Sequence, residues 1–471
     1  MSVKTFTPAA FHHQSAQALS NPQLRHNFRG AMDGLMAKRL GSFDSWDIEA
    51  LRDLGQGIRQ KALRHLPDLL EQLEASCQRN GITVHWAESA DDAGRVITEL
   101  CKARGAQSVI KGKSMVSEEV ELNARLAEAG IEALESDLGE YIVQMADETP
   151  SHIIMPAIHK NTADISTLMH QRTGTRETND AEELTHAARA QLRDRFQTAD
   201  VGISGVNFAV AETGTLCLVE NEGNGRLTTT VPPVHIAITG IEKVVAEFKD
   251  VPPLYALLTR SAIGQNVTTY FNMISGPWRG QEVDGPEEVH LVLVDNGRSR
   301  MYQDEEYAET LQCIRCGACM NHCPVYTRVG GHTYGTTYPG PIGKILMPHL
   351  LGLNTTKNLP TASSLCGACG EVCPVRIPIP KLLVRLRNEA VGEGKGNIEG
   401  AGSARRPMEA MGWKLFSWLA RHPRCWRIGV RVVQACRSAV PKRVAPWTDN
   451  RVRPTPAATS LKQQLAQRRR S

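Results

Sequence analysis

The stretch CIRCGACMNHCP (Cys313–Pro324) places thiols at Cys313, Cys316, Cys319 and Cys323. Three thiolates two residues apart on a tight loop can each reach one iron of a compact iron–sulfur cube. Small residues such as Gly317 and Ala318 let backbone N–H groups approach the sulfurs. The fourth thiol, on the following turn and ahead of a proline, faces away; in bacterial two-cluster ferredoxins a cysteine so placed ligates the other cluster. Downstream, CGACGEVCP (Cys366–Pro374) repeats the pattern through Cys366, Cys369 and Cys373, aligned on Cys316, Cys319 and Cys323. The counterpart of Cys313, three residues before Cys366, is Ser363, so this run is one thiolate short. The interlocked rule assigns Cys313, Cys316, Cys319 and Cys373 to one [4Fe–4S] cluster. It assigns Cys323, Cys366 and Cys369 to a second, whose remaining ligand stays open among Ser363, water, substrate or a [3Fe–4S] form.

Zinc is the alternative occupant, since it takes four thiolates in paired C-x2-C units. The dense first run and the repeated Cys-Pro favour iron–sulfur. A radical-SAM site needs C-x3-C-x2-C, and Tyr326 and Arg376 stand where its third cysteine would be. Seven of the twelve cysteines lie between Cys313 and Cys373. The N-terminal MSVKTFTPAAFHHQSAQ shows no apolar leader, and no stretch approaches the ~18–20 apolar residues of a membrane span. Clustered thiols in that setting point to metal ligation in a reducing cytoplasm rather than to disulfides. Cys101 and Cys217, which stand alone, are expected to be buried small hydrophobes.

Outward from the cysteines the chain changes character. Between Gly81 and about residue 300, short apolar runs alternate with amphipathic stretches: strands at Ile82–Ala87, Ser108–Ser114 and Ile131–Ser136, helices at Asp91–Gly105 and Ser117–Ala129. Further apolar runs follow at Ile153–Ile158, Val201–Ala211, Leu216–Asn221, His235–Gly240 and Val289–Gly297. Strand–helix–strand repetition argues for a parallel sheet covered by helices. Residues 1–80 form a helical region, in which Asp47–Arg79 carries leucines and Ile58 near a 3.6-residue period. Residues 305–393 form the cysteine-rich module, and 394–471 a Gly-rich linker and a basic tail.

The 41% hydrophobic and 22% charged composition excludes wholesale disorder, a collagen-like repeat and a membrane-embedded bundle. The net charge of +4 conceals a split. Ala401–Ser471 has 16 Lys/Arg against Glu409 and Asp449, or +14, which leaves −10 on the first 400 residues. This tail holds Trp413, Trp418, Trp426 and Trp447 among arginines. Such a segment suits docking on an anionic membrane face or an acidic partner subunit, with packing on the body or nucleic acid as alternatives.

The chain resembles the lactate utilisation protein B family, the iron–sulfur subunit of a three-component L-lactate oxidation system. The resemblance rests on KGKSMVSEE (Lys111–Glu119), SDLGEYIVQ (Ser136–Gln144), PSHIIMPAIHK (Pro150–Lys160), NFAVAETGTLCLVENEGN (Asn207–Asn224), DGPEEVHLVLVDNGRS (Asp284–Ser299), RCGACMNHCPVY (Arg315–Tyr326), YPGPIG (Tyr338–Gly343) and CPVRIP (Cys373–Pro378). It implies an α/β LUD domain related in fold to ribose-5-phosphate isomerase and CoA transferases, an α-helical two-cluster [4Fe–4S] ferredoxin-like module, and a distinctive C-terminal segment. It also implies an electron carrier in the oxidation of L-lactate to pyruvate, working with a cysteine-rich subunit and a further LUD-domain subunit in the cytoplasm. Some relatives carry cysteine where this chain has Ser363.

Within the α/β region, AETGT (Ala211–Thr215) and NEGNGR (Asn221–Arg226) put glycines beside polar donors at strand ends, where anions can be cradled. Lys111 and Lys113 follow a strand. Lys111, Lys113, Glu212 and Gly214 are therefore the candidate ligand-binding residues, with tight-turn architecture or a solvated loop as the plain alternative. His159 and Lys160 sit at a similar strand end. His322 and His332, near the cysteines, are read as surface or orienting residues rather than ligands. No G-x-G-x-x-G follows a strand, so a complete dehydrogenase is not expected from this chain alone. The rival function is a LUD-domain enzyme acting on a small carboxylate or acyl substrate, with the clusters in an auxiliary role.

Overall fold

Apolar runs punctuated by Gly and capped helix starts become ten strands among the described residues: β1 (Ile82–Ala87), β2 (Ser108–Lys111), β3 (Glu132–Glu135), β4 (Val201–Gly205), β5 (Phe208–Val210), β6 (Thr215–Glu220), β7 (Val234–Gly240), β8 (Val244–Val245), β9 (Tyr270–Ile274) and β10 (Glu288–Val294). This computed structural model describes residues 8–469 apart from 283, 395, 397, 440, 442, 444–447, 449, 450 and 454, so Trp447 lies outside the described residues. Six strands pair in parallel in the order β1-β10-β7-β4-β2-β3. β4 and β7 are buried at every residue, as a sheet covered on both faces requires. On one face Ile97 and Cys101 pack with Val201, Ile203, Ile236 and Val292. On the other, Ile110 and Tyr141 pack with Met169, Leu184 and Phe196. A smaller sheet, β8-β5-β6-β9, carries the turn at Glu212–Gly214.

The chain leaves β2 toward β3 and then crosses back to β4 on the other side, so a topological switch lies outside the carboxyl ends of β2 and β4. Open α/β sheets bind ligands at such a point. Within β4, Gly202 is required by close approach: a Cβ would meet the Thr228 carbonyl oxygen at 1.9 Å.

Three stretches differ from the sequence expectation. The helix expected at Ser117–Ala129 is two, Met115–Glu119 and Leu122–Glu128, split at Glu121 with φ 52°; Ser114 supplies the N-cap. The periodic run Asp47–Arg79 is also two helices, Ile48–Arg64 and Leu66–Arg79, with Pro67 in the first turn of the second. Ile153–Ile158 is not a strand. The fully buried His152 ring accepts hydrogen bonds from the N–H groups of Ile154 and Met155, which a ladder would otherwise use, and Pro156 offers none.

The described residues up to 403 form one compact unit and those from 404 onward another. In the first, a chain of buried charges ties the sheet to the cysteine-rich module. Arg298, beyond β10, is 0% exposed and holds Glu119 bidentately at 2.8 Å and Glu242 at 2.6 Å. Arg315, inside the first cysteine run, reaches the other Glu242 oxygen at 3.2 Å and lies over the Tyr338 ring, whose hydroxyl donates to Glu119. Arg59, from the helix Ile48–Arg64, donates to the carbonyls of Glu242, Val244, Leu311 and Gln312. In the second unit, helices Pro407–Arg421 and Pro423–Ala435 bury no residue, and Phe416 makes edge contacts with Trp413 and Trp426.

Arg298→Met leaves buried Glu119 without its cation and Glu242 with Arg315 alone, and should lower the unfolding free energy by about 3–5 kcal/mol in urea titration. Arg95→Met, at an exposed helix pair, should leave the midpoint nearly unchanged. The Arg298 and Arg315 cations hold Glu242 at about 2, below its ordinary 4.5, against burial that would raise it. A carboxylate with a depressed pKa stabilises the fold above the unfolded value and loses that contribution as the pH falls through the folded one. The gap between wild type and Arg298→Met should therefore close as pH drops from about 4.5 toward about 2.

Candidate iron–sulfur site

The two cysteine runs build the same local backbone fifty residues apart. Arg315 and Leu365 have φ of 60° and 56°, and Gly317 and Gly367 have φ of 75° and 91°. Helices Ala318–Asn321 and Ala368–Glu371 follow. Left-handed residues on both sides of Cys316 and Cys366 curl each loop so that N–H groups point at sulfur. The Arg315 N–H donates to Cys313 Sγ at 3.4 Å, Tyr326 N–H to Cys323 Sγ at 3.5 Å and Ile377 N–H to Cys373 Sγ at 3.3 Å. In the second run the Leu365 N–H donates to Ser363 Oγ at 3.2 Å, the bond that its counterpart gives to Cys313. Ser363 thus occupies the Cys313 place in the repeat in geometry as well as in spacing.

Cys313, Cys316, Cys319 and Cys373 line one cavity, walled by Ile153, Ile314, Ile342, Val375, Ile377 and Ile379. Burial pushes Cys316 up to about 12 and Cys373 to about 11, and raises Cys319 well above the ordinary thiol value. Thiols so buried stay protonated until a cation replaces the proton. Four sulfurs around an apolar cavity, met by backbone N–H donors, fit an iron–sulfur cluster. Cys323 and Cys366 both act electrostatically on Cys369. Cys323 and Cys369 are buried, whereas Cys366 is exposed beside Leu365, itself 37% exposed.

Residues that the sequence did not single out hold these loops. Arg52 donates to the Cys373 carbonyl at 3.1 Å and Arg39 to the Val372 carbonyl at 3.3 Å. Arg59 reaches the carbonyls of Leu311 and Gln312, just before Cys313. One signal was available: Arg52 and Arg59 recur seven residues apart beside Leu51 and Ile58, on the buried stripe of an amphipathic helix. Lys344, 1% exposed, places Nζ 3.8 Å from Cys323 Sγ. Burial lowers its pKa, while the Cys323, Cys369 and Cys319 side chains push it up.

The other candidate residues fall in two places. Lys111 is fully buried between Glu118 and Glu135, each at 2.8 Å. Lys113 stands at the β2/β4 switch, where it donates to the Ile154 carbonyl at 2.6 Å and faces Asp137 at 3.5 Å. The adjacent Ile153 lines the cysteine cavity, so the switch point and the cluster loops share one strip of chain. Glu212 is exposed on the β5–β6 turn and accepts from the Phe248 N–H at 3.0 Å. Gly214, with φ 70°, lets that turn approach the Ser76 backbone, where a Cβ would come within 2.7 Å. The partners of Glu212 and Gly214 are thus not those of Lys111 and Lys113. His159 and Lys160 both bind Glu148, His332 bonds the Thr149 carbonyl, and His322 bonds the Ala318 carbonyl. Cys101 and Cys217 are fully buried, with thiols pushed up to about 12 by burial.

Comparison with known proteins covers nearly the whole chain. A LUD domain model matches residues 70–294, a 4Fe-4S dicluster domain model residues 309–377, and a model of the C-terminal part of lactate utilisation protein B residues 385–470. Lactate utilization protein B of Bacillus cereus (strain AH820) is 44% identical over 431 residues, 89% of this chain and 88% of that protein. Lactate utilization protein B 2 of Bacillus mycoides (strain KBAB4) and lactate utilization protein B of Bacillus thuringiensis (strain Al Hakam) match to the same extent. With a LUD domain, a dicluster module and the family's own C-terminal segment in one order, the chain belongs to the lactate utilisation protein B family.

Proposed function

We propose that this chain is the iron–sulfur electron-transfer protein of an L-lactate oxidation system. It would receive electrons released as lactate becomes pyruvate and pass them between two clusters to partner subunits. The observation that carries the reading is the gathering of Cys313, Cys316, Cys319 and Cys373 at one apolar cavity, with Cys323 and Cys366 close enough to act electrostatically on Cys369. Ser363 is the fourth ligand of the second centre, since its Oγ holds the place and the N–H partner of Cys313. When bound, such clusters supply reversible one-electron capacity. The chain's own residues then divide the work. Arg39, Arg52 and Arg59 fix the loop carbonyls, the isoleucine wall keeps water from the inner site, and exposed Leu365 and Cys366 open the outer one to a redox partner. Those partners are a cysteine-rich subunit and a second LUD-domain subunit, met in the cytoplasm. The basic tail, whose Trp413 and Ile428 are 63% and 61% exposed, docks on a partner subunit or on the inner membrane face. No helix among the described residues is long and apolar enough to cross a membrane.

A second reading rests on Lys113 and Ile154. A carboxylate held by Lys113 at the β2/β4 switch would lie one residue along the chain from the wall of the inner site, so the LUD domain would bind a small acid beside its electron acceptor. Lactate-dependent protection of the 111–114 and 150–158 amides from hydrogen exchange, lost in Lys113→Met, is its expected signature; unchanged exchange at millimolar lactate contradicts it.

The electron-transfer reading is tested by EPR of anaerobically purified protein. Cys316→Ala should abolish or convert one signal and Cys369→Ala the other. Two variants that alter the same signal contradict the two-centre assignment. Ser363→Cys should shift the second signal alone, and an unchanged spectrum removes Ser363 from the coordination sphere.

A further inference from the structure

Lys344 stands on the helix Gly340–Leu351, inside the cysteine-rich module and 1% exposed. Several interior cations are met by carboxylates, Lys111 by Glu118 and Glu135, Arg298 by Glu119 and Glu242, Arg52 by Glu49, while Arg39, Arg59 and Arg260 donate to backbone carbonyls. Lys344 forms no ion pair with a carboxylate among the described residues. Its Nζ lies 3.8 Å from Cys323 Sγ and 5.3 Å from the centre of the Tyr334 ring. Burial lowers its pKa, and the groups that oppose this and favour its charge are sulfurs, those of Cys323 and Cys369 first and that of Cys319 after them. A buried ammonium without a counter-charge is strongly disfavoured, so the charged form of Lys344 needs an anion that no carboxylate among the described residues supplies.

We infer that Lys344 belongs to the second iron–sulfur site, where its fixed positive charge against Cys323 raises that cluster's reduction potential relative to the same cluster without it. This rests on the two-cluster reading and adds a residue to it. Reduction brings one electron and one negative charge onto the cluster, with no bond made or broken. A cation a few ångströms away in a low-dielectric interior stabilises the reduced form more than the oxidised one. The effect falls off with distance, so the first cluster, which Lys344 meets through Cys319, responds less. Charge near a cluster and hydrogen bonds to its sulfurs are the recognised levers on potential. Lys344 supplies both from one side chain.

The experiment is an anaerobic, EPR-monitored redox titration of full-length wild type, Lys344→Met and Lys344→Arg, with dithionite and ferricyanide as titrants and iron content measured on each sample. Lys344→Met should weaken reduction of the second cluster at least tenfold, a fall of 59 mV for one electron. The first cluster should move by less, and Lys344→Arg should recover most of the loss. If Lys344→Met instead fails to retain the second cluster while Lys344→Arg retains it, the charge is required for the site itself, which also supports the inference. Equal midpoints in wild type and Lys344→Met overturn it, as do equal shifts of both clusters or loss of the second cluster from both variants. Wild-type protein without any iron–sulfur signal would be a failure of the two-cluster reading, separate from these outcomes.

Discussion

The ion network centred on Glu242 is the constraint on which the arrangement depends. One fully buried carboxylate at the end of β7 receives Arg298 from beyond β10 and Arg315 from within the first cysteine run, while Arg59 binds its backbone carbonyl. Each guanidinium comes from a different part of the chain: the N-terminal helices, the α/β sheet and the cysteine-rich module. Taking so many charges out of water is worthwhile only if all of them are met, and removing one leaves the rest uncompensated. The network therefore specifies a single docking of sheet on module. That docking sets the strip Ile153–Ile154 between the switch point of the sheet and the wall of the inner cysteine site.

The two halves of the cysteine-rich module share a backbone plan and differ in chemistry. The inner site has four thiols, an apolar wall and arginines from the N-terminal helices holding its loops. The outer site has three thiols, a serine in the place of the fourth, one cysteine open to solvent and a lysine facing its sulfurs. A duplicated loop thus sets its cysteines in two unlike environments; on the proposed reading, electrons would enter at one and leave at the other. Burial, hydrogen bonding and nearby charge tune cluster potential over a wide range, and each differs between the two sites.

Much of this was legible in the residues. β7 and β10 coincide with apolar runs because parallel strands inside a sheet covered on both faces need little else, and β1 coincides too although Thr83 and Trp86 on this edge strand are exposed. The cysteine repeat was visible in spacing alone, including the serine that breaks it. What escaped notice lies where a side chain replaces a backbone partner. Ile153–Ile158 has a strand's composition, but the His152 ring takes up its N–H groups, and a lone histidine announces no such role. Arg52 and Arg59 look like the polar edge of an amphipathic helix until the carbonyls they serve, from 183 to 321 residues away in sequence, are brought beside them. Lys344, within an apolar run, carried no sign of the sulfur it faces. Glu212 and Gly214 sit where the Gly-rich turn was expected, yet the tight approach to Ser76 gives that glycine a reason independent of any ligand.

The central claim is that the seven thiols between Cys313 and Cys373 fold around inorganic iron and sulfide. Elemental and acid-labile sulfide analysis of protein made and purified without oxygen tests it most directly. The account predicts about eight irons and eight sulfides per chain for two cubes, or about seven irons if the serine-bearing site holds the three-iron form, with zinc near zero. One or two zinc ions per chain, with no labile sulfide, would contradict it.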